Sequence, residues 1–397
     1  MNTSEWICSA CIALVGYTYI GYPLLLFAWA HCVRTRERVR SGPAARSASI
    51  VIAAHNEANS IRRRLVELTR LARNAAIPVE VILVSDGSAD RTALLAREVE
   101  GVRVEVLARN VGKAAALNEG VRVATGEILL FGDVRQTWAP DAVNRLLENF
   151  EDPAVGAATG ELLLTTDGQV NAGVGMYWRF EKWMRQRESQ VNSTIGVTGA
   201  ICGVRRSLYR PLPVGTILDD VYWPLRVVMA GYRVVYDRRA RATDRLPSTL
   251  RDEFRRKLRT QVGNFQLVSL VPGALLPWRN PIWAQFISHK LARLAVPWAL
   301  GVLLLAPLLG LPSPIWRIAV GLHLAFYGMA IAGLALGRRC RVKAFSAAAS
   351  FVLLNAAAWT AFWVWLFRAE SASWRKIEYD APFTPERRPD EPGATGR

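Results

Sequence analysis

Residues 50–57 read Ile-Val-Ile-Ala-Ala-His-Asn-Glu, a run of apolar residues that ends abruptly in polar ones. The β-branched part at 50–52 is typical of a buried strand, and the stretch at 59–71 has apolar residues at helical spacing. The same alternation continues along the chain, with further strands predicted at 79–84, 102–107 and 128–131. Strands that alternate with helices predict an α/β fold with a mostly parallel sheet.

Polar residues follow each of these strands, at the edge where α/β sheets bind their ligands. They are Ala54 to Glu57 after the first strand, Asp86 and Asp90 after the second, Asn110, Gly112 and Lys113 after the third, and Asp133 after the fourth. Each acid alone is more typical of a structural cap. Together, one lysine and several acids favour a polyphosphate ligand with a divalent cation, because the acids hold the metal and the positive charges offset the phosphates.

Other ligand motifs are excluded. No Gly-x-Gly-x-x-Gly follows a strand, so the sequence does not predict a dinucleotide site. The pair Gly112-Lys113 is not a P-loop, because Leu107 stands at the first glycine position and Ala114 at the Ser/Thr position. His289 has no second ligand at a metal spacing.

The composition combines hydrophobicity with positive charge. The 397 residues include 50 Lys and Arg against 33 Asp and Glu, a net charge of +17, and 51% are hydrophobic. This apolar content excludes a disordered chain. Five cysteines, an odd number without a repeated metal spacing, exclude a disulfide scaffold and a zinc ribbon.

The apolar residues are concentrated in four stretches long enough to cross a bilayer, at 6–33, 294–311, 318–337 and 345–367. The leader before the first stretch has no positive charge, so a retained anchor is favoured over a signal peptide. The predicted organisation is an anchor at 1–33, a large polar α/β domain at 48–260, interfacial helices at 261–293, three transmembrane helices at 294–367 and a polar tail at 368–397.

Arginine and lysine follow the first and third stretches, at 34–46 and 338–343. By the positive-inside rule, this places the N-terminus outside and the large polar region in the cytoplasm of an inner-membrane protein. Further arginines lie at 238–259, just before the interfacial segment. Because they adjoin the predicted cytoplasmic face, anionic lipid is their expected partner rather than nucleic acid.

Six short motifs together resemble the membrane-bound family 2 glycosyltransferases. They lie at 50–57, 85–90, 112–118, 196–200, 218–220 and 288–293, in the order that the family has them. The most similar branch includes cellulose, hyaluronan and poly-N-acetylglucosamine synthases. The resemblance covers roughly residues 48 to 295, together with the arrangement of the apolar stretches.

This resemblance implies a GT-A fold that binds a nucleotide-diphosphate sugar and transfers the sugar with inversion. The implied donor contacts are Ala54, Asn56, Glu57, Asp86, Lys113 and Asp133, with Asp133 also the ligand of a divalent metal (Mg or Mn). Asp220 matches the general base and Asp219 the acid beside it, while Thr198, Gly199 and Gln261 match the acceptor side. A base is needed because the acceptor hydroxyl loses its proton as it attacks the anomeric carbon.

The sequence departs from the family at two places. Arg135 stands where the second acid of the Asp-x-Asp element is usual, so the metal would have fewer carboxylates, or Arg135 would neutralise phosphate itself. Alternatively, Arg135 is a surface residue at a position where the residue type is not constrained. The processive Gln-x-x-Arg-Trp motif is replaced by residues 261–265, where only Gln261 is kept. This argues against processive polymerisation but not against glycosyl transfer.

The sequence therefore predicts an integral membrane glycosyltransferase that builds an extracellular polysaccharide or a lipid-linked saccharide, with polysaccharide-export subunits as possible partners. An inactive scaffold of an export complex is the alternative, and Arg135 is its main support. A transporter with a regulatory domain ranks last, because the predicted spans contain no buried acid or base that could couple transport.

Overall fold

The computed structural model describes residues 3–33, 45–165, 172–245, 250–305, 314–337 and 342–367. The arginines at 34–40 and 338–341 and the tail at 368–397, used above for orientation and domain boundaries, lie outside these residues.

The sheet strands are β1 (Ala48–Ala54), β2 (Val79–Asp86), β3 (Val102–Leu107), β4 (Ile128–Gly132), β5 (Thr137–Trp138), β6 (Val155–Thr165), β7 (Cys202–Arg205) and β8 (Arg233–Arg245). The helices are α1 (Thr3–Cys32), α2 (Ile61–Arg73), α3 (Thr92–Arg97), α4 (Lys113–Val123), α5 (Ala142–Leu147), α6 (Ala172–Val191), α7 (Asp219–Met229), α8 (Leu250–Leu270), α9 (Trp283–Leu305), α10 (Pro314–Leu336) and α11 (Lys343–Leu366).

The four strands predicted from the sequence are confirmed as β1 to β4. They form the parallel half of one sheet of order β3-β2-β1-β4-β7-β6-β8-β5. The other half is mixed, because β7 runs antiparallel to both β4 and β6 while β8 runs parallel to β6. The sequence did not predict this second half, since β5 and β7 are too short for a pattern and β8 reads as a charged segment, with the sequence Asp-Arg-Arg-Ala-Arg at 237–241.

Helices cover both faces of the parallel half, which explains the continuous apolar run of β1. Side chains alternate between faces, so Val51 packs in the cluster that includes α4 while Ile50 and Ile52 pack in the cluster that includes α2. A Cβ at Gly120 of α4 would lie 2.4 Å from a methyl group of Val51, so glycine allows the close contact of helix and strand there.

Four helices of the described ranges are long and apolar enough to cross a membrane: α1, α9, α10 and α11. Three correspond to predicted stretches. The fourth, α9, begins at Trp283 rather than at 294, because the helix continues through Ser288 and Lys290, whose polarity hid it in the sequence. The predicted boundary at 260/261 falls inside α8.

Two amphipathic helices join the sheet domain to these apolar helices. Helix α8 packs along α11, and α6 packs against both α1 and α11. At the α8–α11 contact, the ring of Phe265 lies 5.7 Å from that of Trp365. The sheet domain and the apolar helices are therefore connected through packed helix surfaces.

Candidate active site

Lys113 is the centre of a charged cluster at the carboxyl ends of the strands. It is the first residue of α4, and its Nζ lies 2.9 Å from Oδ1 of Asp133, which follows β4. The same Nζ lies 3.4 Å from Oδ2 of Asp219. Asp219 and Asp220 occupy the first turn of α7, where the helix dipole favours negative charge. The structure thus brings together four residues that the sequence analysis selected.

The charges of this cluster hold one another in their ionised forms. Burial alone would lower the pKa of Lys113, but the carboxylates of Asp133 and Asp219 outweigh it and raise that pKa. Burial would likewise raise the pKa of Asp133, but Lys113, with Arg135 and Arg64, keeps it below its usual range. Lys113 is therefore a permanent cation and Asp133 a permanent anion near neutral pH.

Asp220 behaves differently from its neighbours. Burial and the adjacent carboxylate of Asp219 raise the pKa of Asp220 to about 6, against the opposing charges of Lys113, Lys290 and Arg185. A carboxylate with this pKa is ionised at neutral pH and still basic enough to take a proton from a reacting hydroxyl.

The predicted acceptor-side loop, residues 196–200, lies directly against this cluster. The Val197 N–H donates to the backbone oxygen of Asp220 at 2.8 Å. A Cβ at Gly199 would lie 3.5 Å from Lys113 Nζ. The Thr198 N–H donates to Thr159 Oγ1 at 2.8 Å, which fixes the loop on β6.

Asp86 is fully buried and supports the loop that carries Lys113. Its Oδ1 accepts from the Val111 N–H at 2.8 Å and its Oδ2 from the Gly112 N–H at 2.9 Å. Gly112, at φ +90°, then leads into α4. The prediction that Asp86 contacts the nucleoside remains a prediction, and the observed geometry gives its carboxylate a positioning role.

The loop after β1 is tied to the loop after β2. Buried Ala54 ends β1, and Asn56 follows at φ +54°, where its Oδ1 accepts from the Ala89 N–H at 2.8 Å. The Glu57 N–H donates to Thr92 Oγ1 at 2.7 Å. These residues form the rim at which the nucleotide was predicted, and their contacts with it remain a prediction.

Gln261 lies on α8, where its Oε1 accepts from Asn264 Nδ2 at 2.9 Å. A glutamine that the sequence analysis missed, Gln266, has a more direct connection with the site. Its Oε1 accepts from the Ile217 N–H at 2.9 Å and its Nε2 donates to the Gly215 oxygen at 2.8 Å, so it holds the segment that leads into Asp219. No sequence pattern marks Gln266, because its partners lie about fifty residues away.

Arg64 is a second residue that the sequence analysis missed. Although it lies on an amphipathic helix, its side chain is 1% exposed and stacks over Trp138, with Nη1 2.8 Å from Glu67 Oε1. Its charge acts on Asp133. Two of its nitrogens, Nε and Nη2, have no hydrogen-bond partner although they are buried.

Asp133 is the candidate metal ligand. Arg135, at the position of the second acid, directs Nη2 toward Asp244 Oδ2 at 3.6 Å. Within the ranges that the structure describes, no group of three or more His, Cys, Asp or Glu could hold a metal by itself. Mg²⁺ is commonly held by one or two carboxylates with the substrate's phosphates completing its shell, and the single oxygen ligand Asp133 fits that arrangement.

Comparison with known proteins identifies the domain to which these residues belong. Residues 49–212 match the family described as Glycosyl transferase family 2. An N-acetylglucosaminyltransferase of Rhizobium leguminosarum bv. viciae is 27% identical over 291 residues, covering 68% of this chain and 65% of the relative. A poly-beta-1,6-N-acetyl-D-glucosamine synthase of Staphylococcus aureus (strain MSSA476) is 23% identical over 231 residues, covering 55% of each. The chain thus spans between 55% and 65% of these relatives' lengths.

A solved structure shares the fold. A mannosyltransferase from Pyrobaculum calidifontis, in complex with GDP-Man and Mn²⁺, superposes with a TM-score of 0.68 over 92% of this chain and 100% of its own, at 22% sequence identity. The α/β architecture and the resemblance found from the six motifs are confirmed by these matches. Residues 49–212 form a glycosyl transferase family 2 domain with a GT-A-like fold.

Proposed function

We propose that the chain is an integral membrane glycosyltransferase that moves a sugar from a nucleotide-diphosphate sugar to a saccharide or lipid-linked acceptor, with inversion. The observation that carries the proposal is the convergence of Lys113, Asp133, Asp219 and Asp220 within a family 2 domain. The polysaccharide-synthase names of the relatives support a role in extracellular polysaccharide biosynthesis.

In the proposed reaction, an acceptor hydroxyl attacks the anomeric carbon from the face opposite the diphosphate. Asp220 takes the hydroxyl proton while the new carbon–oxygen bond forms. The bond between the anomeric carbon and the phosphate oxygen breaks, and the nucleoside diphosphate leaves with the electron pair. Lys113 offsets the negative charge that grows on this leaving group.

The divalent metal belongs to this proposal. Asp133 would hold Mg²⁺ or Mn²⁺, which would supply charge neutralisation for the diphosphate. The Mn²⁺ in the related mannosyltransferase structure supports this assignment. The nucleotide contacts of Ala54, Asn56, Glu57 and Asp86 belong to the proposal as well.

The membrane location rests on the four apolar helices. We place them in the inner membrane, with the sheet domain on the cytoplasmic side, where nucleotide sugars are made. Polysaccharide-export subunits are the expected protein partners. The names of the relatives make N-acetylglucosamine donors the first to test, followed by GDP-mannose.

The test replaces Asp220 with Asn in the purified full chain, reconstituted in lipid nanodiscs and assayed with a panel of nucleotide sugars. Loss of a general base is expected to lower kcat by about 10²- to 10⁴-fold while binding of UDP or GDP is unchanged. Asp141→Asn, at an exposed position immediately before α5, is the matched control. Transfer by Asp220→Asn at the wild-type rate would remove Asp220 as the base.

A further inference from the structure

Two cations besides Lys113 lie close to Asp220. They are Arg185 of α6 and Lys290 of α9, and both act electrostatically on its carboxyl group. Both side chains are partly buried. The base of the proposed reaction is therefore bordered by positive charges from two helices, of which α6 lies within the family-matched range of 49–212 and α9 lies outside it.

A network of ion pairs fixes these two helices against each other. Glu181 and Glu188 lie on one face of α6, and His289 bridges them, with Nδ1 2.6 Å from Glu188 Oε1 and Nε2 3.2 Å from Glu181 Oε2. Arg293 also pairs with Glu181. Arg185 occupies the same face between the two glutamates, since positions i, i+4 and i+7 align on a helix. Lys290 directly follows His289, so the network sets the place of both cations.

The network pairs the two glutamates with other residues, and Asp220 is the carboxyl group that acts electrostatically with both cations. In the described part of the chain, neither Arg185 nor Lys290 forms an ion pair or a side-chain hydrogen bond, whereas His289 and Arg293 occupy both glutamates. Two like charges that share a partly desolvated site repel each other. An anion bound between them would relieve this repulsion, and a guanidinium next to an ammonium is well suited to a phosphoryl group.

The two cations also lie where the apolar helices meet the sheet domain. Lys290 is in the second turn of α9, one of the helices long enough to cross a membrane. Helix α1 is bound at the same place: Tyr22 OH donates to Glu188 Oε1 at 3.1 Å, and Tyr17 OH lies 2.6 Å from Ser288 Oγ. An acceptor whose tail stays in the bilayer would reach Asp220 past this point.

From this arrangement we propose that Arg185 and Lys290 bind a phosphoryl group of the acceptor, and that the acceptor is therefore a lipid-linked saccharide joined to its lipid through phosphate. The proposal rests on the function proposed above and selects one of its two acceptor classes. The acceptor's phosphoryl group lies on the two cations, its lipid follows the apolar helices, and its sugar hydroxyl faces Asp220.

A binding experiment tests the proposal without requiring catalysis. The full chain in phosphatidylcholine nanodiscs is titrated with farnesyl diphosphate and, separately, with farnesol. We expect farnesyl diphosphate to bind at least about tenfold more tightly than farnesol, and Arg185→Gln and Lys290→Gln each to remove this preference. Arg179→Gln, an exposed charge loss on the same helix, is the control and retains it. Equal binding of the two probes, or a preference that survives in the double variant, overturns the proposal.

The charge-conserving variants Arg185→Lys and Lys290→Arg control for misfolding, because they are expected to retain most of the binding.

A kinetic experiment separates the sources of the phosphoryl group by comparing a lipid-diphosphate saccharide, a soluble sugar 1-phosphate and a neutral glycoside as acceptors. The glutamine variants are expected to raise KM for the lipid-linked acceptor about tenfold while KM for the nucleotide sugar stays constant. A rise in the nucleotide-sugar KM instead assigns the cations to the donor and overturns the proposal. If the wild type turns over the nucleotide sugar with none of these three acceptors, the result contradicts the proposed function itself.

Discussion

Lys113 Nζ lies 2.9 Å from Asp133 Oδ1, which joins the first residue of α4 to the residue that follows β4. The same ammonium group reaches Asp219 Oδ2 at 3.4 Å, at the start of α7. One cation thus holds together three loops that come from different parts of the sheet domain, and the donor diphosphate is expected to share it.

Replacing Lys113 with Met is expected to abolish donor binding and lower kcat/KM by at least about a hundredfold, the scale of losing one preorganised electrostatic contact. The substitution also removes the ammonium group that lies between Asp133 and Asp219. Calorimetric titration with UDP and GDP measures the binding. Arg122→Met, an exposed change on the same helix, should bind both nucleotides normally. Undiminished nucleotide binding by Lys113→Met would separate Lys113 from the diphosphate.

The pH profile should report Asp220. Because its pKa is raised from 3.8 to about 6, the base is protonated below that pH. We expect kcat/KM to be flat above pH 7 and to fall tenfold per pH unit below about pH 6. Steady-state rates between pH 5 and pH 8 measure this limb, with kcat/KM of the Asp141→Asn control following the wild type. An acid limb centred near pH 4 would show that Asp220 is not the base.

The same pKa has a consequence for stability, with a definite sign. When the pKa of a carboxyl group is higher in the folded than in the unfolded state, the folded protein loses stability as the pH rises through the interval between the two values. The wild type should therefore lose stability between about pH 4 and pH 6 through this group. Asp220→Asn removes that loss, so its melting temperature should exceed that of the wild type at pH 7 and approach it at pH 4. Equal melting temperatures at pH 7 would contradict the raised pKa.

Sequence patterns predicted the part of the site that lies at the ends of the parallel strands. The four parallel strands end in register, so the rule that ligands bind at their carboxyl ends was enough to place Lys113 near Asp133. Asp219 and Asp220 were assigned by resemblance instead. Their approach to Lys113 depends on how α7 packs after a hundred intervening residues, and no period in the sequence encodes that distance.

The buried polar residues were the hardest to predict. Arg64 lies in an amphipathic helix whose other arginines are exposed, and its burial is explained by its stacking on Trp138 and its ion pair with Glu67. The role of His289 could not be predicted either, because its partners Glu181 and Glu188 lie about a hundred residues earlier in the sequence. Ion pairs between distant segments depend on tertiary packing, which a single sequence does not display.

Arg135→Asp tests how the metal is held. The substitution restores a second carboxylate beside Asp133 and removes a positive charge that acts on it. We expect it to raise the affinity for Mn²⁺ in the presence of UDP or GDP by about tenfold or more, since hard cations bind more tightly with each added carboxylate. Electron paramagnetic resonance of free Mn²⁺ measures this affinity. Arg70→Asp, an equal charge change at an exposed position on α2, should leave it unaltered. Unchanged affinity in Arg135→Asp would place the metal away from this position.

Gly87 should be indispensable to the loop that Asp86 holds in place. It adopts φ +56°, and a Cβ there would lie 2.2 Å from the backbone of Arg109 and Asn110. Gly101 is a matched control, because it adopts φ +81° with open space around it. Alanine at Gly101 is expected to cost about 1 kcal/mol for the backbone conformation alone, and alanine at Gly87 at least about 2 kcal/mol more, because backbone atoms must move. Denaturant unfolding in detergent compares the two variants, and weaker UDP or GDP binding should accompany Gly87→Ala alone. Equal loss of stability in both variants would mean that the loop absorbs the extra methyl group and that its close approach to Gly87 does not constrain the site.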